Sequence, residues 1–410
     1  MTSISGWNSD LFARMLRERV LAWISRCQRT GKGQPAYALD TIAPEATVMS
    51  LCFAVLIKEL YDALPNATER AEYGGALQSL QSPETGLFMD PALNPDDLEP
   101  ASPGTQYLVH QTTYFALNAL DALGFRPLYP LRFAESYLQP MVLEDWLQNL
   151  DWANPWRESN RIMFIATALY TMWQWENEAS ALAVLHRLLD WLDAHQDSET
   201  GLWGVAEGAS PLYAMAGAYH LLPFYFSLGR PARFCDKMVE NVLSLQQSDG
   251  LFHPQGGGDS CLDVDAVGVL VWCSLAVPAE ADRIRVALER TFEGLLANQS
   301  DEGGFCRARL RPHPPKTWKR RVAEFFGLDR LLHQPYRPCP QIMTYEGWKK
   351  MPFDIRQPDL WSTWFRSYGL AMISARFPGR FLDAIPWRFR RLPGLGWYDP
   401  GAIRRAYEKA

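Results

Sequence analysis

Three carboxylates crowd the stretch Asp259-Ser260-Cys261-Leu262-Asp263-Val264-Asp265, and a largely apolar run follows them to Val277. A carboxyl group carried into apolar surroundings loses the water that stabilises its charge, so its pKa rises and it becomes a proton donor near neutral pH. Asp265 stands deepest in the run and is the leading candidate for a general acid, acting on an alkene or on an oxygen. Asp263 is a second catalytic candidate, although Ser260-x-x-Asp263 also spells a capping box, in which the carboxylate closes the start of a helix. Asp265 has a plainer reading of the same kind, as a first-turn acid that steadies the positive end of the helix.

His110, followed by Gln111 and a Thr-Thr-Tyr run, is a third catalytic candidate, with hydrogen-bonded structure as its plainer role. Asp259, Asn160, Arg157, Tyr213 and Asp359 are candidates for contacting substrate, Arg157 through an anionic group, while Asn160 also suits a helix cap. Trp156, Trp203, Trp361 and Trp364 bring indole faces that stabilise a cation, stack on a sugar ring, or fill space between helices. Glu207 or Asp359 could pair with Asp265 or Asp263 for acid/base work on a glycoside.

Residues this far apart need a repeating scaffold to meet, and the chain contains one. Four segments run from an apolar helix through a Gln to a Gly and an aromatic. They are Leu77-x3-Gln81-x4-Gly86-Leu87-Phe88, Leu192-x3-Gln196-x4-Gly201-Leu202-Trp203, Leu243-x3-Gln247-x2-Gly250-Leu251-Phe252 and Leu295-x3-Gln299-x3-Gly303-Gly304-Phe305. The glycines are 115, 49 and 53 residues apart, and a degenerate copy ending in Asn154-Pro155-Trp156 fills the long first gap. Apolar helical runs follow at 107–124, 160–176, 211–228, 262–277 and 359–377, and a further one at 44–63 has 8–28 as its partner. Ser210-Pro211 gives one of them an N-cap followed by proline in the first turn.

The pattern predicts six hairpins, each an outer helix followed by an inner one, and no sheet, because no stretch alternates as a strand does. Inner helices that are apolar nearly all round favour a closed ring over an open solenoid. The expected fold is all-α: one (α/α)6 toroid over 1–410, carrying a basic insertion at 304–358 and a C-terminal tail at 378–410. In that topology the turns and the N-termini of the inner helices share one rim, where the candidate residues converge.

The repeat, spelled best as Phe292-x2-Leu295-x3-Gln299-x3-Gly303-Gly304-Phe305, resembles the QW-type repeat of the squalene-cyclase and protein-prenyltransferase superfamily, over about Leu77 to Phe377. Leu262-Asp263-Val264-Asp265-Ala266 is similar to the Asp-x-Asp-Asp motif of class II terpene cyclases, with Ala266 in place of the last acid. The resemblance implies that Asp265 is the proton donor. Asp359-x-x-Ser362-Thr363 looks like the last inner helix of prenyltransferase β subunits, with Ser362 where that family has a zinc-binding His. Asp259-x-Cys261 echoes two of that family's zinc ligands, and two donors in register are too few for a zinc site. No metal and no cofactor is therefore expected.

Composition narrows the classes further. With 48% hydrophobic residues in 410, the chain is no disordered polymer, and its net charge of −6 argues against a nucleic-acid partner. Seven cysteines without a Cys-x-x-Cys fit reduced thiols in the cytoplasm. The charge is unevenly spread: 304–358 holds twelve Lys and Arg against four acids, a surplus of eight, so the remainder carries −14. Arg307-Ala308-Arg309-Leu310-Arg311 and Lys319-Arg320-Arg321 offer a surface for an anionic head group, an acidic partner or peripheral membrane contact. The leading expectation is an isoprenoid-processing enzyme of the class II cyclase type. A carbohydrate-active (α/α)6 hydrolase or lyase, with a glycan substrate, and a non-catalytic binding ring are the alternatives.

Overall fold

The computed structural model describes residues 9–29, 35–311 and 341–408. The chain is mostly helical. In chain order the helices are α1 (Ser9–Cys27), α2 (Val48–Leu60), α3 (Ala67–Gln78), α4 (Thr105–Leu123), α5 (Pro140–Gln148), α6 (Pro155–Glu176), α7 (Ala179–Ala194), α8 (Pro211–Ser227), α9 (Cys235–Leu245), α10 (Ser260–Ala276), α11 (Ala281–Ala297), α12 (Leu360–Arg376) and α13 (Pro400–Glu408).

Burial separates two populations among them. Every residue from Ser260 to Leu275 of α10 and from Leu360 to Ser374 of α12 is buried, as a helix surrounded by other helices must be. By contrast α11 buries only a stripe, through Ile284, Leu288, Thr291 and Leu295. The enclosed helices α2, α4, α6, α8, α10 and α12 pack in that order, each on the next, and α12 packs back on α2. Tyr61 Oη on α2 donates to Ser367 Oγ on α12 at 2.9 Å across that closing contact.

The Gln and Gly of the repeats have a physical reason. Gln81, Gln196 and Gln299 each donate Nε2 to the carbonyl of the glycine that follows, at 3.1, 2.8 and 2.8 Å, which ties the turn. In the third copy the neighbour Gln246, not Gln247, makes this bond, at 3.1 Å. Gly303 lies at φ 114°, and a Cβ built there would stand 2.4 Å from the Arg19 carbonyl oxygen on α1, so the last turn docks on the first helix.

Two sequence expectations shift at helix starts. Asp259, not Ser260, is the N-cap of α10, accepting the Cys261 N–H at 3.2 Å. Helix α6 starts at Pro155 under an Asn154 cap, which puts Asn160 in its second turn, donating to the Trp156 carbonyl at 3.0 Å. Ser210 caps α8 as expected.

The absence of strands is corrected by two antiparallel pairs. A two-residue pair, β1 (Gln28–Arg29) with β2 (Ala36–Tyr37), follows α1. The larger hairpin, β3 (Ile342–Tyr345) with β4 (Trp348–Asp354), lies in the insertion and turns through Glu346 and Gly347 at φ 49° and 75°. The Lys319-Arg320-Arg321 cluster lies outside the described residues. In the earlier cluster Arg307 and Arg311 are largely buried, and Arg309 is partly exposed beside Asp301. Arg307 and Arg311 face Asp259 at 2.8 and 3.8 Å, and Arg309 donates to the Gln299 carbonyl.

The C-terminal tail is structural. Arg388 N–H donates to the Leu60 carbonyl at the end of α2, and farther on Thr167 on α6 donates to the Pro393 carbonyl. Leu395 N–H then donates to Tyr114 Oη on α4 at 2.6 Å. The tail thus enters between the inner helices, and α13 rests on α8 and α10. Among the described residues no helix is long and apolar enough to cross a membrane.

Candidate functional site

A cavity of about 540 Å³ lies among the inner helices, with Asp265 in its wall and Leu395 of the tail contributing to its lining. That volume falls within the range of about 300–1,000 Å³ usual for small-molecule sites. Each inner helix but α2 supplies side chains: Tyr107 and Gln111 from α4, Trp156, Arg157 and Asn160 from α6, Tyr213 and His220 from α8, Cys261 and Asp265 from α10, Trp361 and Phe365 from α12. Arg307 and the hairpin residues Ile342 to Gly347 complete the wall, with Glu99, Ala101 and Pro103 of the 95–104 loop beside them.

Asp265 is only 1% exposed, and its Oδ2 has no hydrogen-bond partner among the described residues. Burial pushes its carboxyl well above the usual carboxylate range, and the negative fields of Asp259 and Asp263 push the same way. The Asp265 side chain lines the cavity, its Oδ2 is buried and unpartnered among the described residues, and the surroundings favour the protonated form.

Asp263 has a different surrounding. Its Oδ1 accepts the Phe252 N–H at 2.9 Å, and its Oδ2 accepts the Asp259 N–H at 2.9 Å and Arg366 Nη1 at 3.1 Å. Burial raises it to about 6 while Arg366 and these backbone donors pull it back down. The same bond occurs elsewhere in the repeat: the N–H of the aromatic after the glycine goes to Thr113 Oγ1 from Phe88 and to Thr363 Oγ1 from Phe305, both at 2.9 Å. Asp263 fills that repeating position, and it is not part of the cavity wall.

Asp259 also turns away from the cavity. Burial works to raise its carboxyl, but the guanidinium groups of Arg307 and Arg311 outweigh burial and hold it well below the usual range. Its second carboxylate oxygen caps α10, so this Asp-x-Cys pair has its acid occupied by arginines. Asp359 caps α12, accepting the Ser362 N–H and Oγ–H at 2.7 Å each, and burial raises it to about 7.

His110 packs on Phe133 with ring centroids 5.3 Å apart, outside the cavity lining, and burial lowers it to about 4. Trp203 is a packing residue whose Nε1 donates to the Leu192 carbonyl at 2.8 Å. Trp364 sits behind the wall, stacked on Phe53 at 6.2 Å. Of the expected site residues, the structure therefore gathers Asp265, Arg157, Asn160, Tyr213, Trp156 and Trp361, and leaves Asp263, His110, Asp259, Asp359, Trp203 and Trp364 behind the wall or away from it. Glu207 lines a separate surface cleft with Trp152 and Trp191, so it makes no pair with Asp265.

Two residues were not singled out by sequence. His220 lies within an apolar helix, 3% exposed, with Nδ1 2.8 Å from Ser159 Oγ, and burial lowers it to about 3. Glu346 is half-buried at the hairpin tip, and burial raises its carboxyl while Arg307 and Arg157 oppose the rise. Its left-handed φ of 49° is uncommon for a residue with a side chain, a sign of a position fixed by its surroundings. The tip is held by the neighbouring loop: Ser102 Oγ donates to the Glu346 carbonyl at 2.9 Å, and Thr344 Oγ1 donates to Glu99 Oε1 at 2.7 Å.

No protein-family model matches the chain, and no curated protein matches it.

Proposed function

We propose that the chain forms an (α/α)6 toroid and acts as an acid catalyst on isoprenoids, in the manner of a class II terpene cyclase. The cyclic packing of α2, α4, α6, α8, α10 and α12 supports the ring. The observation that carries the chemistry is Asp265, a buried carboxyl in the cavity wall with one oxygen unpartnered among the described residues and a pKa raised by burial. The Asp265 proton is transferred to an alkene carbon, the π electrons form the new C–H bond, and positive charge develops on the adjacent, more substituted carbon.

Tyr107, Trp156, Tyr213, Tyr345, Trp361 and Phe365 line the same cavity, and a ring that turns its face to that charge stabilises it. A cation over such a face is stabilised by about 0.5–2 kcal/mol. Where the resembling motif carries a second acid this chain has Ala266, and the raised pKa here comes from burial, Asp259 and Asp263 instead. Arg157 and Asn160 suit a polar end of the substrate.

One observation favours a second reading. Glu346 puts another carboxyl on the same cavity, and a carboxyl pair is what a glycoside hydrolase uses. Wild type and Asp265→Asn are therefore incubated with squalene, geranylgeranyl diphosphate and a panel of oligosaccharides. The proposal expects cyclised hydrocarbon or diphosphate products that Asp265→Asn lowers by at least about 10²-fold. Undiminished turnover in that variant removes Asp265 as the acid, and cleavage of sugars alone moves the assignment to the second reading.

A further inference from the structure

A cation made by Asp265 must lose a proton before product can leave, and the cavity contains a group built to take one. Ser159 Oγ donates to the Trp156 carbonyl at 3.1 Å and lies 2.8 Å from His220 Nδ1. A hydroxyl has one hydrogen, so with that hydrogen on the carbonyl the oxygen can only accept from the ring. With the hydroxyl hydrogen on that carbonyl, Nδ1 carries the imidazole proton and the lone pair of the neutral ring is on Nε2. Nε2 makes no hydrogen bond among the described residues, and His220 lines the cavity.

On this geometry, and resting on the acid-catalysed reading above, we infer that His220 Nε2 is the base that ends the reaction, with Ser159 as the positioning residue that fixes its tautomer. A C–H bond next to the cationic carbon breaks, its electrons form the product alkene, and the proton bonds to the Nε2 lone pair. The site then holds an imidazolium and the Asp265 carboxylate. Proton return from Nε2 to Asp265 through water restores both, so the sum is an isomerisation with no co-reactant. Burial keeps the ring unprotonated at neutral pH, which leaves the lone pair ready. Weak basicity toward water is no obstacle, because a carbocation with an adjacent C–H is a far stronger acid than imidazolium.

The test uses the full chain with squalene and geranylgeranyl diphosphate as probes, products being separated by gas chromatography with mass detection. His220→Phe removes the lone pair in a similar volume, and Ser159→Ala removes only the tautomer lock. The expected result is a fall of about 10²-fold in the wild-type alkene product for His220→Phe, with water-quenched alcohols or other alkene isomers in its place. Ser159→Ala is expected to give the same shift at smaller amplitude. Nitrogen-15 spectra of the wild type at pH 7, which need no substrate, are expected to show Nδ1 protonated and Nε2 bare. A product pattern unchanged in His220→Phe, or a proton found on Nε2, overturns the assignment. If turnover vanishes in Asp265→Asn yet His220→Phe changes nothing, the base is wrong and the acid stands. If wild type consumes neither probe, the parent reading falls and takes this one with it.

Discussion

Asp263 and Asp265 are two residues apart, yet replacing them separately is expected to give opposite phenotypes. Asp263→Ala deletes three accepted hydrogen bonds, from Phe252 N, Asp259 N and Arg366 Nη1, and takes from Arg366, at 0% side-chain exposure, its paired carboxylate, leaving only the more distant field of Asp259. Breaking a buried pair from one side costs about 3–5 kcal/mol, and a buried donor left without an acceptor costs about 1–3 kcal/mol. Arg366 keeps the Cys306 and Arg307 carbonyls, which moderates the sum. A loss of about 5 kcal/mol is expected, comparable with the whole stability of many domains, about 5–15 kcal/mol. The assay is thermal and urea unfolding followed by circular dichroism. The variant is expected to be insoluble or to unfold at far lower temperature and urea concentration than wild type.

Asp265→Asn removes no hydrogen bond from Oδ2 and introduces no charge. Its effect on stability is therefore a matter of pH. The folded carboxyl of Asp265 is raised above its ordinary 3.8. Such a group contributes stability fully below the unfolded value, and that contribution is lost as pH rises through the folded value, because the unfolded chain ionises first. Asn does not titrate. The variant is thus expected to match wild type near pH 4 and to be the more stable of the two at pH 8, while lacking activity. Equal unfolding midpoints for Asp263→Ala and wild type would refute the structural role, and a pH-independent loss in Asp265→Asn would refute the neutral acid.

Two further outcomes follow from the turns and the hairpin. Gly86 has φ 76° and a Cβ there would stand 2.1 Å from the Pro130 carbonyl oxygen, whereas Gly208 has φ 88° with nothing within 4 Å. Gly86→Ala is expected to cost about 1–2 kcal/mol for the left-handed backbone plus about 1–3 kcal/mol for the clash, and Gly208→Ala only the first; equal urea midpoints would contradict this. Replacing Glu99 and Ser102 together by Ala removes two side-chain bonds to the hairpin, worth about 2 kcal/mol in all. Amide hydrogen exchange in Tyr345 to Lys349 is expected to speed up by more than tenfold, with global unfolding little changed; unchanged exchange there would mean the hairpin is held from elsewhere.

The hairpin periodicity was legible because it is local. Each inner helix shows its burial in its own composition, and all six begin within five residues of the sequence expectation. Helix caps were less legible, since Asp259 and Ser260 are both good capping types and only the extended backbone at Asp259, φ −146° and ψ 127°, decides between them. Gln246 and Gln247 present the same ambiguity, resolved by which amide reaches the Gly250 carbonyl. The hairpin was missed because Ile342–Asp354 is short, and its pairing is fixed by Gly347 and by contacts to the 99–102 loop, more than 240 residues earlier.

Which acid faces the cavity shows where local reading stops. Side chains two apart on a helix point about 200° from each other, so Asp263 and Asp265 cannot share a face, and helical geometry alone says that only one of them meets the cavity. Choosing between them requires knowing which one the preceding turn claims. That claim is the bond from the post-glycine aromatic N–H, made to Thr113, Asp263 and Thr363 in three repeats. The acceptor follows its aromatic by 25, 11 and 58 residues respectively, because loops of unequal length intervene. No fixed spacing could reveal it. His220 is hidden by the same logic, for a histidine inside an apolar helix shows only that it is buried. Its partner, Ser159, is 61 residues away on a neighbouring helix. Burial is written locally, whereas what a buried polar atom faces is decided by packing between helices. The assignment proposed for this site therefore rests on what packing leaves two cavity-lining groups to face, the Asp265 carboxyl and the His220 ring.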